Sequence, residues 1–197
     1  MNLLGFLKSL RPRQWTKNLL VFAGILFARK WDDPQLVFNV VAGFVIFCAL
    51  SGVVYLVNDI LDVEKDRQHP RKKDRPIASG QLSTTTAGIG AFLLFAGSMV
   101  GAWLVTPWFF LTAVIYIVLT TSYSLWLKHV VILDIMILAV GFVVRAMAGI
   151  EAMHLPGGDP VEVTPFFILT TLFLALFLAV GKRRNELLNM QARVGET

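Results

Sequence analysis

Charged residues and cysteine are both scarce in this chain. Charged residues make up 16% of its 197 residues, hydrophobic residues make up 56%, and the mean hydropathy is +0.67. A soluble domain carries about 25% charged and about 45–50% apolar residues. The composition therefore excludes a soluble enzyme and a disordered chain. The single cysteine, Cys48, lies in an apolar run, which excludes an intramolecular disulfide and with it a secreted disulfide scaffold.

The basic residues do not form a nucleic-acid-binding surface. The net charge is +5 and the sequence pI is about 9.6, but Lys and Arg are confined to short gaps between long apolar runs. Such placement is typical of membrane topology signals, so no nucleic-acid partner is expected. Residues 1–10 have Lys8 within an apolar stretch and no small-residue cleavage site. They predict an amphipathic helix at the membrane interface rather than a cleaved signal peptide.

Long apolar runs predict an all-α polytopic membrane protein. A bilayer core of about 30 Å is crossed by about 20 helical residues. The candidate spans are 18–27 (a short one), 36–57, 87–105, 108–127, 130–150 and 164–181. Alternating polarity of the kind that a membrane barrel requires is not found along the sequence. The expected architecture is a bundle of six helices.

The distribution of positive charge predicts the orientation of this bundle. The segments at one end, which are the N-terminus, 65–75, Lys128 and 182–193, carry 15 of the 18 Lys and Arg residues. The opposite loops carry only Arg29 and Lys30. Because positive loops remain in the cytoplasm, both termini are expected there, in a protein of the plasma membrane.

A polar segment follows the second span directly. If that helix continues, Asn58, Asp62 and Asp66 recur at i, i+4 and i+8 on one face, with Asp59 beside them. Like charges at this spacing weaken a helix, so a row of them is better explained by a bound cation. Mg²⁺ prefers such oxygen ligands and is often shared between carboxylates and substrate phosphates. The predicted metal ligands are Asn58, Asp59, Asp62 and Asp66.

Cations come directly after these carboxylates and fit a diphosphate ligand. Arg67, Lys73 and Arg75 are among them, and Lys or Arg next to metal ligands would neutralise phosphate oxygens. The alternative is a solvated loop in which acidic and basic side chains merely pair and set the topology.

A second polar patch lies near the fourth and fifth spans. Tyr123 and Lys128 precede Asp134, which lies in an apolar run, and Arg145 follows about three helical turns later. Ionisable residues inside a span mark functional sites by default. The alternative is a structural pair of Asp134 with Lys128 or with Arg145. The cluster 182–184 at the end of the sixth span is explained by an anchoring role, although Lys182 is also a candidate phosphate ligand.

Several of these motifs resemble the UbiA superfamily of membrane prenyltransferases. Asn58-Asp59-x-x-Asp62-x-x-x-Asp66, with the following 69–80 segment, is similar to its first aspartate-rich motif. The opening Arg-Pro-Arg-Gln-Trp of residues 11–15 resembles the branch of decaprenyl-phosphate phosphoribosyltransferases. So do residues 123–128, 141–145 and 181–184. The resemblance runs from about residue 5 to residue 190.

The resemblance implies Mg²⁺-dependent transfer of 5-phosphoribose from phosphoribosyl diphosphate to a polyprenyl phosphate, for cell-wall sugar precursors. No covalent protein nucleophile is needed, because metal and electrostatic stabilisation of the leaving diphosphate suffice. The implied catalytic residues are Asp59, Asp62, Asp66 and Asp134. The implied substrate-binding residues are Lys17, Asn58, Arg67, Lys73, Arg75, Tyr123, Lys128, Arg145 and Lys182.

The sequence departs from the family pattern in two respects. Many members carry a second Asp-x-x-x-Asp motif, whereas Leu138 stands at the corresponding spacing after Asp134. The family bundle has nine spans and this chain has six predicted spans. The expectation is a single UbiA-like domain, 1–197, without the C-terminal part of the usual fold. A fragment, a shortened homologue and a homo-oligomer that completes its cavity with a second chain are the alternatives.

Two other functions remain open at this stage. A UbiA-type enzyme that moves a prenyl group from prenyl diphosphate to an aromatic or other acceptor would share the first motif. A transporter or structural membrane subunit would use the carboxylates for topology only. A CDP-alcohol phosphotransferase is disfavoured because its Asp-Gly-x-x-Ala-Arg motif is not in the sequence.

Overall fold

The computed structural model describes residues 3–126, 131–155, 157–158, 161 and 164–194. Every regular element in this part of the chain is helical, as predicted. A 3-10 helix covers Pro12–Phe22. The α-helices are α1 (Leu3–Ser9), α2 (Ala23–Phe27), α3 (Pro34–Leu61), α4 (Val63–Gln68), α5 (Thr84–Val105), α6 (Pro107–Leu125), α7 (Val131–Glu151) and α8 (Pro165–Val194).

Side-chain caps fix where the long helices begin. The Asp33 carboxylate accepts hydrogen bonds from the backbone N–H groups of Gln35 and Leu36 at the start of α3. Thr106 caps α6 in the same way by accepting from Phe109 N–H at 2.9 Å. Such caps satisfy backbone donors that a helix start leaves without partners. Proline at the first position of α3 and α6 adds to the signal.

Five helices are long and apolar enough to cross a bilayer. They are Pro34–Leu61, Thr84–Val105, Pro107–Leu125, Ile132–Glu151 and Pro165–Asn185. They correspond to five of the six predicted spans, and the chain is a multi-pass membrane protein. Large apolar side chains such as Phe92 and Phe177 face outward, with 68% and 74% of their surfaces exposed. In water such a surface would be unstable, whereas it matches hydrocarbon.

The first predicted span, 18–27, differs in structure from the expected α-helix. It is built from the 3-10 helix and α2, each of which is too short to count as an α-helical span. A 3-10 helix rises about 2.0 Å per residue and an α-helix about 1.5 Å, so the two segments extend for about 30 Å. They run antiparallel to α3, with Arg11 beside Asp59 and Phe22 against Phe44. The segment therefore crosses the bundle from end to end.

The core holds this first segment tightly against α3 and α7. Val21 and Phe47 are fully buried in one apolar cluster that also contains residues of α6 and α7. Gly149 of α7 lies so close to the backbone of Val21 that a Cβ there would overlap its carbonyl oxygen. Small residues allow such close approach of helices in membranes.

A second apolar cluster lies at the end of the bundle where α3 stops. Leu10 and Leu56 pack there with Ile77 and Leu82 of the segment between α4 and α5. This packing fixes the N-terminal segment and the 69–83 segment against α3. It thereby places Arg11 and Arg75 beside the polar end of α3.

Candidate active site

Arg75 joins the two buried carboxylates of the first motif. One of its terminal nitrogens, Nη1, lies 3.1 Å from Asp59 Oδ1 and 2.5 Å from Asp66 Oδ2. Both aspartates are 2% exposed, whereas the Arg75 side chain is 28% exposed. Because a single nitrogen contacts both oxygens, Asp59 and Asp66 present them to the same point.

The helix does not continue through this motif, so the predicted row at i, i+4 and i+8 is wrong. α3 ends at Leu61, and Asp62 leaves α-helical geometry with φ −94° and ψ 8° before α4 begins. The Asp62 side chain is 35% exposed and lies 4.0 Å from Lys65. The Asn58 amide instead donates to the Ser124 hydroxyl at 2.8 Å. Asp59 and Asp66 thus share Arg75 as a partner, whereas Asp62 and Asn58 contact other residues.

Two further cations complete this cluster. Arg11 Nη2 donates to Asp59 Oδ1 at 2.5 Å, and Lys72 Nζ lies 3.8 Å from Asp66. Neither residue was among the predicted site residues. Arg11 is followed by proline and has a left-handed backbone with φ 53°. Non-glycine residues rarely adopt this conformation. It forms the turn between α1 and the 3-10 helix.

The charge balance of this cluster explains its burial. An unpaired carboxylate removed from water is costly, and truncating one partner of a buried pair leaves that cost uncompensated. Asp59 and Asp66 therefore depend on Arg11 and Arg75. Among the described residues, no three or more His, Cys, Asp or Glu side chains form a ready-made metal-binding group. The carboxylates are instead paired with guanidinium groups.

The chemistry of the two buried carboxylates nevertheless fits a divalent cation. Asp59 and Asp66 present hard oxygen atoms to a single point, which the Arg75 nitrogen fills in this structure. Mg²⁺ takes one or two carboxylates together with substrate phosphates and waters. The Asp62 side chain is partly exposed near Lys65, and the side chain of Asn58 lies toward Ser124.

A cavity of about 140 Å³ lies inside the bundle next to this cluster, and we call it the polar cavity because polar side chains are part of its wall. Four predicted substrate-binding residues line it, and they come from the 3-10 helix, α3, α6 and α7. These are Lys17, Asn58, Tyr123 and Arg145. Residues far apart in sequence thus meet at one cavity, as a binding site requires. Tyr55, Tyr116 and Ser124 line it too and were not predicted as site residues.

Arg145 lies at the inner side of this cavity and is held by neutral groups. Its Nε donates to Asn18 Oδ1 at 2.9 Å, and its Nη2 donates to the Tyr116 hydroxyl at 3.0 Å. Its Nη1 donates to the carbonyl of Gly141 at 2.7 Å. The suggested pairing with Asp134 is therefore wrong.

Asp134 forms a separate buried pair. It is fully buried, accepts a hydrogen bond from the Tyr123 hydroxyl at 2.5 Å and forms an ion pair with Arg183 of α8. The cluster 182–184 thus contributes more than an anchor at the end of the sixth span. The separation of Arg183 from Asp134 in the sequence does not predict this contact.

Other predicted residues lie apart from the cavity or outside the described residues. Arg67 pairs with Glu64 at 2.8 Å and donates to the carbonyl of Ala78 at 3.3 Å. Lys73 is exposed on the segment between α4 and α5. Lys128 lies outside the described residues, as does the side chain of Lys182.

A larger apolar groove of about 560 Å³ lies between the first span, α7 and α8. Leu20, Phe27, Phe167 and Leu174 are among its lining residues. Phe142 lines both this groove and the polar cavity. The two spaces therefore lie on either side of one aromatic side chain.

Comparison with known proteins agrees with this architecture. The model of the UbiA prenyltransferase family matches residues 18–191. The decaprenyl-phosphate phosphoribosyltransferase of Mycobacterium tuberculosis is 38% identical over 187 residues, covering 93% of this chain and 60% of the relative. That of Mycolicibacterium smegmatis is 40% identical over 187 residues, covering 93% and 57%. The chain thus spans about 60% of the length of these curated relatives.

A solved structure shares the fold. A UbiA homologue from Archaeoglobus fulgidus bound to DMAPP and Mg²⁺ matches with a TM-score of 0.69 and 22% sequence identity. The match covers 87% of this chain and 60% of that chain. At this level of identity the likeness establishes the arrangement of helices.

Proposed function

Because the chain belongs to the UbiA prenyltransferase family, we propose that it transfers 5-phosphoribose from phosphoribosyl diphosphate to a polyprenyl phosphate of the decaprenyl type. The observation that carries the proposal is its identity of 38–40%, over 93% of its length, to enzymes named for that reaction. The buried Asp59–Arg75–Asp66 cluster beside a polar cavity supports it, since both a metal and a diphosphate would find ligands there.

The proposed metal ligands are Asp59 and Asp66, with Asp62 and Asn58 beside them. When bound, Mg²⁺ would neutralise the charge that develops on the leaving diphosphate. The donor set supports this assignment, because Asp59 and Asp66 offer oxygens within reach of one point. Asp62 is partly exposed and one turn away, so its contribution would come through water or through substrate.

The cations of the cluster would bind the diphosphate itself. In the structure Arg75 and Arg11 neutralise the carboxylates. When a metal ion neutralises them instead, both arginines would be able to bind phosphate oxygens. Arginine suits this role because its planar group donates two parallel hydrogen bonds to one phosphate. Lys72 and the exposed Lys73 add positive charge along the same segment.

The reaction breaks the bond between ribose C1 and the diphosphate oxygen, and a phosphate oxygen of the lipid forms the new bond at C1. Diphosphate leaves with the bonding electron pair, and no side chain becomes covalently modified. The residues of the chain hold the two substrates in position and stabilise the developing charge, and these two effects lower the barrier to such a transfer most strongly. The polar cavity beside Asn58 and Tyr123 would hold the ribose.

We propose that the protein lies in the plasma membrane. The Asp59–Arg75–Asp66 cluster is at the cytoplasmic face, and both chain termini are in the cytoplasm. The concentration of Lys and Arg at that end of the bundle supports it. A water-soluble donor would reach the cluster from that side. We also propose that residues 1–197 form a single UbiA-like domain and that the chain associates with a second copy.

The experiment is a transfer assay in membranes that contain the expressed chain. Labelled phosphoribosyl diphosphate, a polyprenyl phosphate and Mg²⁺ are supplied, and label that moves into the organic phase is counted. Transfer that a chelator abolishes is the expected result. A parallel reaction with labelled dimethylallyl or geranyl diphosphate and an aromatic acceptor tests prenyl transfer. Label transfer in the parallel reaction alone would replace the proposed donor by a prenyl diphosphate.

A further inference from the structure

Arg145 differs from the buried carboxylates of this protein in its partners. Asp59, Asp66 and Asp134 each have a cationic partner. The guanidinium of Arg145 contacts the Asn18 amide, the Tyr116 hydroxyl and a backbone carbonyl, all of which are neutral. Among the described residues no carboxylate forms an ion pair with it, so its charge has no counter-ion there.

The position of Arg145 makes a charge without a counter-ion costly. It lies within α7, which is long and apolar enough to span the membrane, and its side chain is half-buried. An ionised group in such a place is expensive, and it is usually paired or part of a substrate site. Arginine has five N–H donors. The three bonds in the structure leave donors for a ligand.

The guanidinium is also held in a fixed place. Arg145 donates to Asn18, Asn18 donates to the Ser51 hydroxyl at 3.2 Å, and that hydroxyl lies 2.9 Å from the hydroxyl of Tyr116. Tyr116 in turn accepts from Arg145, which closes a ring of four side chains from four elements. Its members come from the 3-10 helix, α3, α6 and α7. A group held in this way loses little freedom when it binds a ligand.

The surroundings indicate what kind of anion fits. Arg145 and Lys17 line the same polar cavity as Asn58, and a phosphate group would lie at its Arg145 side, with the ribose at its Asn58 side. On the other side of Phe142 the apolar groove of about 560 Å³ begins. A ligand that places a phosphate in one space and an apolar chain in the other would fill both. Guanidinium binds phosphate oxygens with two hydrogen bonds.

We propose that Arg145 is the binding residue for a phosphomonoester, and that this is the phosphate of the polyprenyl acceptor. The inference rests on the proposed function, because that function supplies a lipid phosphate as a substrate. The protein would then have two separate phosphate-binding sites. The diphosphate of the donor is bound at Asp59 and Asp66, and the acceptor phosphate is bound deeper in the bundle. The ribose lies between them.

The test measures binding without turnover, on purified protein in nanodiscs, with a chelator and without donor. A fluorescent polyprenyl phosphate is titrated against the wild type, and the matching uncharged polyprenol is the reference lipid. The wild type is expected to bind the phosphate more tightly than the alcohol. Arg145→Gln is expected to weaken phosphate binding by at least about tenfold, the loss typical of a charge-assisted hydrogen bond, and to leave alcohol binding unchanged.

Lys30→Gln is the matched control, because it removes one exposed positive charge at the opposite end of the bundle. It is expected to bind both lipids as the wild type does. If Arg145→Gln fails to fold, Arg145→Lys keeps the charge and loses the fork of donors, so it is expected to weaken phosphate binding partially. Equal affinity of the wild type for the phosphate and the alcohol would overturn the proposal, with no variant needed.

Competition distinguishes the sources of the phosphate. Inorganic phosphate and ribose 5-phosphate are each added to the bound fluorescent lipid. Weak competition by both supports the lipid phosphate as the ligand. Two results together would overturn the assignment to the acceptor in favour of the donor's phosphate. Ribose 5-phosphate would displace the lipid at low concentration, and Arg145→Gln would leave lipid binding unchanged. Because no transfer is measured, a failed transfer assay does not affect this result.

Discussion

Asp59 and Asp66 share one nitrogen of a single guanidinium, although the helix breaks between them. Residues seven apart lie on nearly the same face of an α-helix, so Asp59 and Asp66 keep this relationship in spite of the break. Asp62 lies at the break between α3 and α4, where its side chain is 35% exposed. The motif therefore contains a buried pair of carboxylates, Asp59 and Asp66, and an exposed one, Asp62.

The first prediction follows from that difference in burial. Asp66→Asn and Asp59→Asn are expected to lower the transfer rate by at least about 100-fold, since each removes a charged ligand from the proposed metal site. Asp62→Asn is expected to lower it less, because that side chain is partly exposed and pairs weakly with Lys65. Initial rates with saturating donor and lipid measure this.

Glu64→Gln is the matched control for these variants. It removes one carboxylate from α4, where Glu64 is exposed and pairs with Arg67. Its rate is expected to equal that of the wild type. Equal losses in Asp62→Asn and Asp66→Asn would contradict the division into buried and peripheral carboxylates. Full activity of Asp59→Asn and Asp66→Asn, with normal membrane insertion, would remove the metal site altogether.

The second prediction concerns competition between Arg75 and the metal. In this structure the guanidinium occupies the point where a cation would contact Asp59 and Asp66. Arg75→Gln is therefore expected to bind Mn²⁺ severalfold more tightly in the absence of donor, because a competing positive charge is gone. The same variant is expected to show a higher KM for the donor, since it lacks a phosphate contact.

Titration with Mn²⁺ followed by electron paramagnetic resonance measures metal binding directly, without turnover. Arg67→Gln serves as the control, because it removes an exposed guanidinium that pairs with Glu64 rather than with the buried carboxylates. Its Mn²⁺ affinity is expected to be unchanged. Unchanged or weaker Mn²⁺ binding by Arg75→Gln would exclude Arg75 as a competitor for the metal position.

The sequence sufficed for the helical class and for five of the six predicted spans. Runs of apolar residues and caps such as Asp33 and Thr106 are local signals, and they locate helices that tertiary contacts do not alter. The 3-10 geometry of Pro12–Phe22 was not predictable in this way. It accompanies close packing between Val21 and Gly149, residues more than a hundred positions apart.

The site could be predicted in its residue types but not in its pairings. Charge in an apolar run identified Asp134 and Arg145 as unusual, and this much is visible in sequence. Among the described residues Asp134 forms an ion pair with Arg183, and Arg145 binds Asn18 and Tyr116. Such partners are decided by how helices pack, for which one sequence carries no direct signal.

The third prediction tests the pairing of Asp134 with Arg183. Arg183→Gln removes the guanidinium that forms an ion pair with a fully buried carboxylate, and the loss of one partner of a buried polar group costs about 1–3 kcal/mol. The variant is expected to unfold at a lower temperature in detergent. Adding Asp134→Asn is expected to restore part of that loss, because the buried negative charge is then removed as well.

Arg184→Gln is the matched control, since it removes the same charge from the next residue of α8. Its unfolding temperature is expected to stay within about a degree or two of the wild type, as is usual for exposed positions in a chain of this size. Additive losses in the double variant Asp134→Asn and Arg183→Gln would contradict a direct interaction between the two side chains.

The fourth prediction concerns the close approach of the first crossing to α7. Gly149→Ala introduces a methyl group that would overlap the carbonyl oxygen of Val21, so the first segment must shift away from α7. Overpacking of this kind costs about 1–3 kcal/mol.

Gly97→Ala on α5 adds the same methyl group where no heavy atom lies within 4 Å. Thermal unfolding in detergent is expected to show a clear loss for Gly149→Ala and little change or a small gain for Gly97→Ala. Because Asn18 lies on the shifted segment and bonds Arg145, Gly149→Ala is also expected to weaken binding of the polyprenyl phosphate. Equal stability of the two alanine variants would contradict the close packing of the first crossing on α7.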